Sequence, residues 1–336
     1  MSDRARVDLL IGGASIFAGL AERLTAVSVA LHGDGRADTA SISLDDSGGV
    51  IVLPKAGAKL VVQLGWAGAG IRPVFSGTVD EVRSTGGRSG GRVLSITAKG
   101  FDATGGAKGQ QRRAWDDKTV KTILTEAGTA AGITEVSVDP SLADRAINYW
   151  SMLDESFLHM GQRLAREIGG RFRVQGNEAV MSLRGAAYSP RVTAAYGINL
   201  HSWDIAPVLS RDRFGKVRAP WYDKAAAAWK HVEVETGVES DAVATLRETS
   251  TTEAEARRRA EARAASIKEA TGEGSVRIEG DTGAVPDAIC VLTGARPGVD
   301  GSYRIAAVTH SYSRAGGFTT DLDLAQPQDG SGEDDR

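Results

Sequence analysis

The sequence predicts a β-rich α+β protein: two small β-barrel segments flanking an α+β unit, with one long helix associated with the second β-rich segment. Three observations carry this. Apolar and polar residues alternate over many short runs, as half-buried strands require. Glycine is over-used, 41 of 336 residues against a typical ~7%. Its doublets, among them Gly48-Gly49, Gly86-Gly87, Gly90-Gly91 and Gly316-Gly317, fall between those runs, where turns need the positive φ that glycine reaches cheaply.

Residues 1–103 form the first barrel segment. A short helix near Gly19 to Arg23 is followed only by strands and turns: Val7 to Ile11 precedes it, then come Thr39 to Leu44, Lys59 to Leu64, Val74 to Val82 and Arg92 to Ala98. Breaks fall at His32-Gly33-Asp34-Gly35, Asp45 to Gly49, Pro54, and Thr85 to Gly91. Strands of this length and spacing favour a small barrel or sandwich.

Residues 104–188 form the α+β unit. A loop with Gly105, Gly106 and Gly109 leads to a helix that Asp116 or Asp117 caps and that runs through Ala131, with Val120, Ile123, Leu124 and Ala127 on one face. A second helix starts at a cap on Asp154, carries Phe157, Met160, Leu164 and Ile168 at helical spacing, and stops at Gly169-Gly170. Arg171 to Leu183 then reads as a hairpin turning at Gly176-Asn177.

Residues 189–327 return to strands, with Trp203, Ile205 and Val208, a run ending in Val232 and Val234, then Val276 to Ile278, Ile289 to Leu292, Tyr303 to His310 and Phe318 to Leu324. One helix of about 252–270 interrupts them, capped by Thr251 or Thr252 and carrying a stripe of Ala256, Ala260, Ala264 and Ile267. The stripe requires a close-packed partner, either this chain's own barrel or a neighbouring subunit. Residues 328–336, with three acids after Gly332, read as a disordered acidic tail.

Composition narrows the function. Hydrophobic residues at 41% and charged residues at 25% describe a globular chain. A net charge of −3 argues against broad binding to phosphate backbones, which needs an excess of Lys and Arg. Apolar stretches such as Ala225 to Trp229 fall far short of the ~20 residues that span a bilayer, and Met1-Ser2-Asp3-Arg4 does not open a secretory signal. The lone Cys290 cannot form an internal disulfide, so assembly in a reducing cytoplasm is expected.

The candidate chemical motifs each have a structural explanation. Gly87-Arg88-Ser89-Gly90-Gly91 fits the glycine-x-serine-x-glycine pattern of hydrolases, but that elbow needs a helix after the serine, and here both flanks are strands. Gly12-Gly13 with Gly19 has the wrong spacing for a dinucleotide loop, and Gly65, Gly68 and Gly70 are a loop beside Trp66. His32, His159, His201, His231 and His310 are scattered, without metal-ligand spacing. Asp45-Asp46 and Asp116-Asp117 are turn and cap residues. Arg257, Arg258, Arg259 and Arg263 are offset by Glu253, Glu255 and Glu261 on the same helix, giving a salt-bridged face rather than a nucleic-acid patch. No catalytic, cofactor-binding or metal residue is assigned, and no cofactor is expected.

Three stretches together resemble the late control gene D family of phage tail proteins. The first is Ser156-Phe157 through Arg163-Leu164-Ala165 and Gly169-Gly170 to Val174. The second is Leu53-Pro54, then Gly57 to Gly65 and Phe75-Ser76-Gly77-Thr78-Val79-Asp80. The third is Gly301-Ser302-Tyr303-Arg304-Ile305 to His310, then Gly316-Gly317-Phe318-Thr319-Thr320-Asp321-Leu322. They follow family order along nearly the whole chain. The departure is Phe157, where many relatives carry an acid after the serine.

The resemblance implies the baseplate hub of a contractile tail, similar to the N-terminal part of the VgrG spike proteins of type VI secretion. In that architecture each chain supplies two related barrels, and a homotrimer closes a pseudo-sixfold ring that adapts the hexameric tail tube to the trimeric spike. Expected partners are the tube protein, the spike, and other baseplate and tape-measure components. DNA would pass through the lumen without specific binding, and acidic residues should outnumber basic ones there; a lumen lined mostly by Arg and Lys would refute that. The expected location is the virion tail baseplate, with no membrane association. Two rivals are a hub of a phage-derived secretion or tail-like bacteriocin particle, which gene neighbourhood separates from an infectious phage, and a tail-associated peptidoglycan hydrolase, which requires a cleft with perturbed carboxylates or a metal cluster.

Overall fold

Strands that bury every second residue pair into one large sheet. In β3 (Leu24–His32), Leu24, Val27, Val29 and Leu31 point inward, while Thr25 lies on the surface. The computed structural model describes residues 4–15, 22–33, 36–88, 91–100, 109–175, 178–183, 191–207, 213–270 and 272–328. Gly19, Gly105, Gly106, Gly176, Asn177, Val208 and residues 329–336, on which several expectations fall, lie outside that range, as does most of the helix expected near Gly19 to Arg23. No helix among the described residues is long and apolar enough to cross a membrane.

The first β-rich segment supplies β1 (Ala5–Ile11), the short β2 (Ala14–Ser15), β3, β4 (Thr39–Asp45), β5 (Lys59–Trp66), β6 (Gly70–Gly87) and β7 (Gly91–Lys99). The second supplies β13 (Arg191–Ala195), β14 (Leu200–Ala206), β18 (Glu273–Glu279), β19 (Ile289–Thr293), β20 (Gly301–Ser313) and β21 (Gly317–Gln328). These strands form a single 13-stranded sheet. The two segments meet where the second half of β20 pairs antiparallel with β3, from Ala307↔His32 to Ser313↔Ala26. One hydrophobic cluster runs through both, and Trp66 ties them again, packing on Phe318 at 5.6 Å and donating its indole N–H to the Gly280 carbonyl at 2.8 Å.

The two segments repeat one strand order. Leaving out the two-residue β2, which extends the first beyond β1, the first runs β3-β4-β7-β6-β5-β1 and the second β14-β18-β21-β20-β19-β13; numbered within its own segment without β2, each is 2-3-6-5-4-1. Their irregularities coincide as well. The bulge at Leu24-Thr25-Ala26 against β4 recurs at Leu200-His201-Ser202 against β18, and the bulge at Val79-Asp80-Glu81 against β7 recurs at Ile305-Ala306-Ala307 against β21. Both hairpins end on equivalent pairs, Gly87↔Gly91 and Ser313↔Gly317. The modules differ in their first strand: β1 lies antiparallel to β5, whereas β13 lies parallel to β19.

Between them lies a unit built on β8 (Gln110–Thr119), α1 (Val120–Ala130), β9 (Glu135–Val138), the short α2 (Pro140–Ala143), β10 (Ala146–Ser156), α3 (Phe157–Ile168), β11 (Gly170–Gln175) and β12 (Glu178–Leu183). The expected caps are displaced. Thr119, not Asp116 or Asp117, caps α1, its hydroxyl accepting from the Thr122 N–H at 3.2 Å. Both aspartates belong to β8, which pairs with β10 as a two-stranded ribbon. Likewise Ser156, not Asp154, caps α3, accepting from the His159 N–H at 3.2 Å. Asp154 sits in β10 at a bulge with φ 52. The stop at Gly169 is as expected: its φ of 73 is the left-handed C-terminal cap that glycine adopts without strain. The hairpin also stands, with β11 and β12 antiparallel and β9 added parallel to β12.

The long helix answers the question left open by its alanine stripe. α4 (Glu253–Glu269) follows β15 (Lys216–Asp223), β16 (Ala228–Glu235) and β17 (Val243–Thr245), a separate three-stranded sheet inserted between β14 and β18. Ala256, Ala260, Ala264 and Ile267 pack on Val217, Ala219 and Val232 of that sheet, so the stripe's partner is this insert rather than the large sheet. Thr252 caps the helix, accepting from the Glu255 N–H at 3.2 Å, and Glu255 reciprocates by accepting from the Thr251 N–H at 2.9 Å.

Candidate functional site: open strand edges

A ladder that continues through thirteen strands exposes backbone donors and acceptors only at its open edges. β14 is one such edge. It pairs with β18 on one side, no described strand takes the other, and His201, Ser202, Trp203 and Asp204 are all exposed. Beside it stand Tyr196, 64% exposed, and Ile198, 83% exposed, with Tyr196 edge-on to Trp203 at 5.8 Å. The outer half of β6 is another edge. β5 pairs with β6 only as far as Thr78, so the stretch from Glu81 to Gly87 has β7 on one side and no described strand on the other. Apolar side chains held in the open at a strand edge mark a surface for association.

The α+β unit is fastened to the sheet by a buried charge cluster. Asp287, held at φ 70, accepts from Arg171 of β11 and from Arg304 of β20, the latter at 3.1 Å. All three residues are buried. α4 is fastened to α3 by Arg259, which reaches Glu167 at 2.9 Å and Glu255 at 3.1 Å. Arg257 and Arg259 are thus offset as expected by Glu253 and Glu255 of their own helix, and Arg259 in addition by Glu167 of α3.

The sequence-level chemical motifs do not converge. Ser89 lies outside the described residues, but its flanks are the paired strands β6 and β7, so the helix that a nucleophile elbow needs does not follow it. Gly12 and Gly13 form the turn between β1 and β2. Asp45 ends β4 at the turn, accepting from the Ser47 hydroxyl and, at 2.9 Å, from the Ser47 N–H, and these bonds, the hydroxyl's above all, hold its carboxyl below the usual range. His159 meets Glu155 at 2.8 Å on an exposed helix face, and His201 and His231 are exposed on separate sheets. Among the described residues no three His, Cys, Asp or Glu side chains are grouped to hold a metal ion. A cleft of about 530 Å³ between α3 and α4 is lined by Arg163, Arg166, Arg247, Arg259 and Arg263 with Glu167, Glu248 and Ser266, and no histidine stands among its lining residues to serve the Ser266 hydroxyl as a base. Cys290 is buried, its thiol pushed up to about 12 by desolvation.

His310 is fully buried, with Nδ1 3.0 Å from the Thr320 hydroxyl, and burial pushes its imidazole down to about 4. It therefore protonates more readily in the unfolded chain, whose ordinary histidine value is ~6.5. Its contribution is intact above that value and is lost as the pH falls toward 4. Urea unfolding midpoints should drop across this window, and the drop should be smaller in His310→Gln.

Comparison with known proteins agrees with a structural reading. Residues 39–316 match the model of a family described as phage tail baseplate hub (GPD). A probable baseplate hub protein of Escherichia phage P2 is 30% identical over 167 residues, 50% of this chain and 42% of that protein. The chain thus spans less than half the length of the curated relatives it matches. Among solved structures, the 43 kDa tail protein of prophage MuSo2 from Shewanella oneidensis aligns with a TM-score of 0.73 at 16% identity, covering 96% of this chain and 98% of that one. The Escherichia coli c3393 protein, described as a component of the type VI secretion system with structural similarity to bacteriophage T4 tail proteins, aligns at 0.62 and 12% identity, covering 98% of this chain and 79% of that one. At those identities the two structures speak for the fold alone. The family match covers most of the sequence, and the chain belongs to the phage tail baseplate hub (GPD) family, a family of structural proteins of the virion tail and not of enzymes.

Proposed function

We propose that this chain is the hub of a contractile tail, three copies of which form a ring that adapts the hexameric tail tube to the trimeric spike. The observation that carries this is the repeat of one six-strand order, bulges included, in the two halves of the chain. Each repeat is read as one small barrel-like module. Two near-equivalent modules per chain place six similar surfaces around a threefold axis. A sixfold tube then meets six like contacts, while the chain-specific parts, the α+β unit and the α4 insert, repeat only three times and suit a threefold spike.

Adapting symmetry needs repeated surfaces and no reacting group, consistent with the dispersed histidines and carboxylates. The tube protein, the spike and other baseplate and tape-measure components are the partners this reading assigns. DNA passes through the ring's lumen, where acidic side chains outnumber basic ones, so the polyanion is not held. The c3393 likeness favours a second reading, a hub in a secretion or bacteriocin-like particle; the ring is the same and the cargo differs. Counting the copies of this chain in an assembled tail by native mass tests the ring in either setting.

A further inference from the structure

The junction inside the chain prescribes the junction between chains. Within one copy, β20 of the second module pairs with β3 of the first, His310 opposite Val29, Ser311 opposite Ser28, Tyr312 opposite Val27 and Ser313 opposite Ala26. Strand order and the two shared bulges fix the counterpart of each strand in the other module: β6 for β20 and β14 for β3. These counterparts are the open edges described above. Val27 and Val29 are 1% and 0% exposed inside their junction, whereas Trp203, in the place of Val27, is 37% exposed.

We propose that β14 of one copy pairs antiparallel with the outer half of β6 of the next, in the register of the internal junction: Ser84 opposite Ile205, Thr85 opposite Asp204, Gly86 opposite Trp203 and Gly87 opposite Ser202. This rests on the ring reading and names its contact surface. The surfaces are different patches of the same chain, so the contact is heterologous and ends only when a ring closes. With two modules per copy alternating internal and external junctions, three copies close six modules.

The side chains suit the pairing. Gly86 has no side chain to oppose the Trp203 indole. Arg83, whose ion pair with Glu81 is exposed on both sides at 66% and 51%, stands diagonally across from Asp204, within reach of a long side chain. Pro207 lacks an N–H and ends the ladder after Ala206 opposite Arg83. The external junction is thus shorter than the internal one.

Paired cysteines test the register in hub recovered from assembled tails. Thr85→Cys with Asp204→Cys, and separately Ser84→Cys with Ile205→Cys, place directly opposed residues across the contact. The two pairs alternate between narrow and wide ladder positions, so one of them has disulfide geometry. Cys290 is buried and does not compete. On oxidation, one of these variants is expected to give covalently linked trimers on a non-reducing gel, at least fivefold more than the offset pair Thr85→Cys with Ser202→Cys. Equal or stronger linkage of the offset pair, or none in either opposed pair with three copies still counted, overturns the register while leaving the ring standing. A copy number other than three overturns both.

Discussion

Asp287→Asn is expected to lower the free energy of unfolding by about 3–5 kcal/mol, the range for breaking a buried ion pair from one side. The substitution keeps the size of the side chain and its tolerance of φ 70, so the loss isolates the charge. Asp287 is a carboxylate shared by Arg171 and Arg304, and removing its charge takes one counter-ion from both buried guanidiniums at once. Arg171 belongs to β11 and Arg304 to β20, so the damage falls on the seam between the α+β unit and the sheet. Urea unfolding measures the loss, and hydrogen exchange should show β11 opening before β20. A loss below about 1 kcal/mol, the value of an exposed pair, would mean that the cluster does not hold the seam.

Phe157→Ala is expected to cost about 3–5 kcal/mol, the sum of lost transfer energy and the cavity left behind. Phe157 is 0% exposed and meets Phe172 edge to face at 5.4 Å, joining the first turn of α3 to β11. Its surroundings leave little room to collapse, because Gly161 already lies so close to the Phe172 ring that a Cβ there would stand 2.3 Å from it. Thermal unfolding of Phe157→Ala beside Phe157→Leu measures the effect, with Leu recovering part of the loss. Equal stability of both variants would remove Phe157 from the core. Its depth in the core accounts for an apolar side chain at the start of α3.

Strands whose side chains alternate between core and solvent were readable from sequence, and the boundaries of β4, β5, β7 and β19 fall within a few residues of expectation. The ribbon of β8 and β10 was not. In Gln110–Thr119 only Trp115 is buried, and its strand character comes from its partner, with Trp115 opposite Trp150. The same blindness displaced the caps: Asp116, Asp117 and Asp154 have capping chemistry, but they lie inside the strands of the ribbon, and the cap passed to Thr119 and Ser156, the last residues of those strands before each helix. The internal repeat was visible only as two β-rich stretches of similar size. Its proof lies in pairing register, which hydrogen bonds between distant strands set and which leaves no fixed period in sequence. Trp203, at the centre of the open edge, reads in sequence as one more core residue of a strand; only its exposure singles it out.

Native mass spectrometry of the hub assembled with its tube and spike proteins tests the central claim most directly. Two modules per chain predict three copies of this chain per assembly, bound to six tube subunits and three spike chains. Six copies would mean that each chain supplies one module to the ring, and one or two would leave the sixfold face unfilled; any of these would contradict the account.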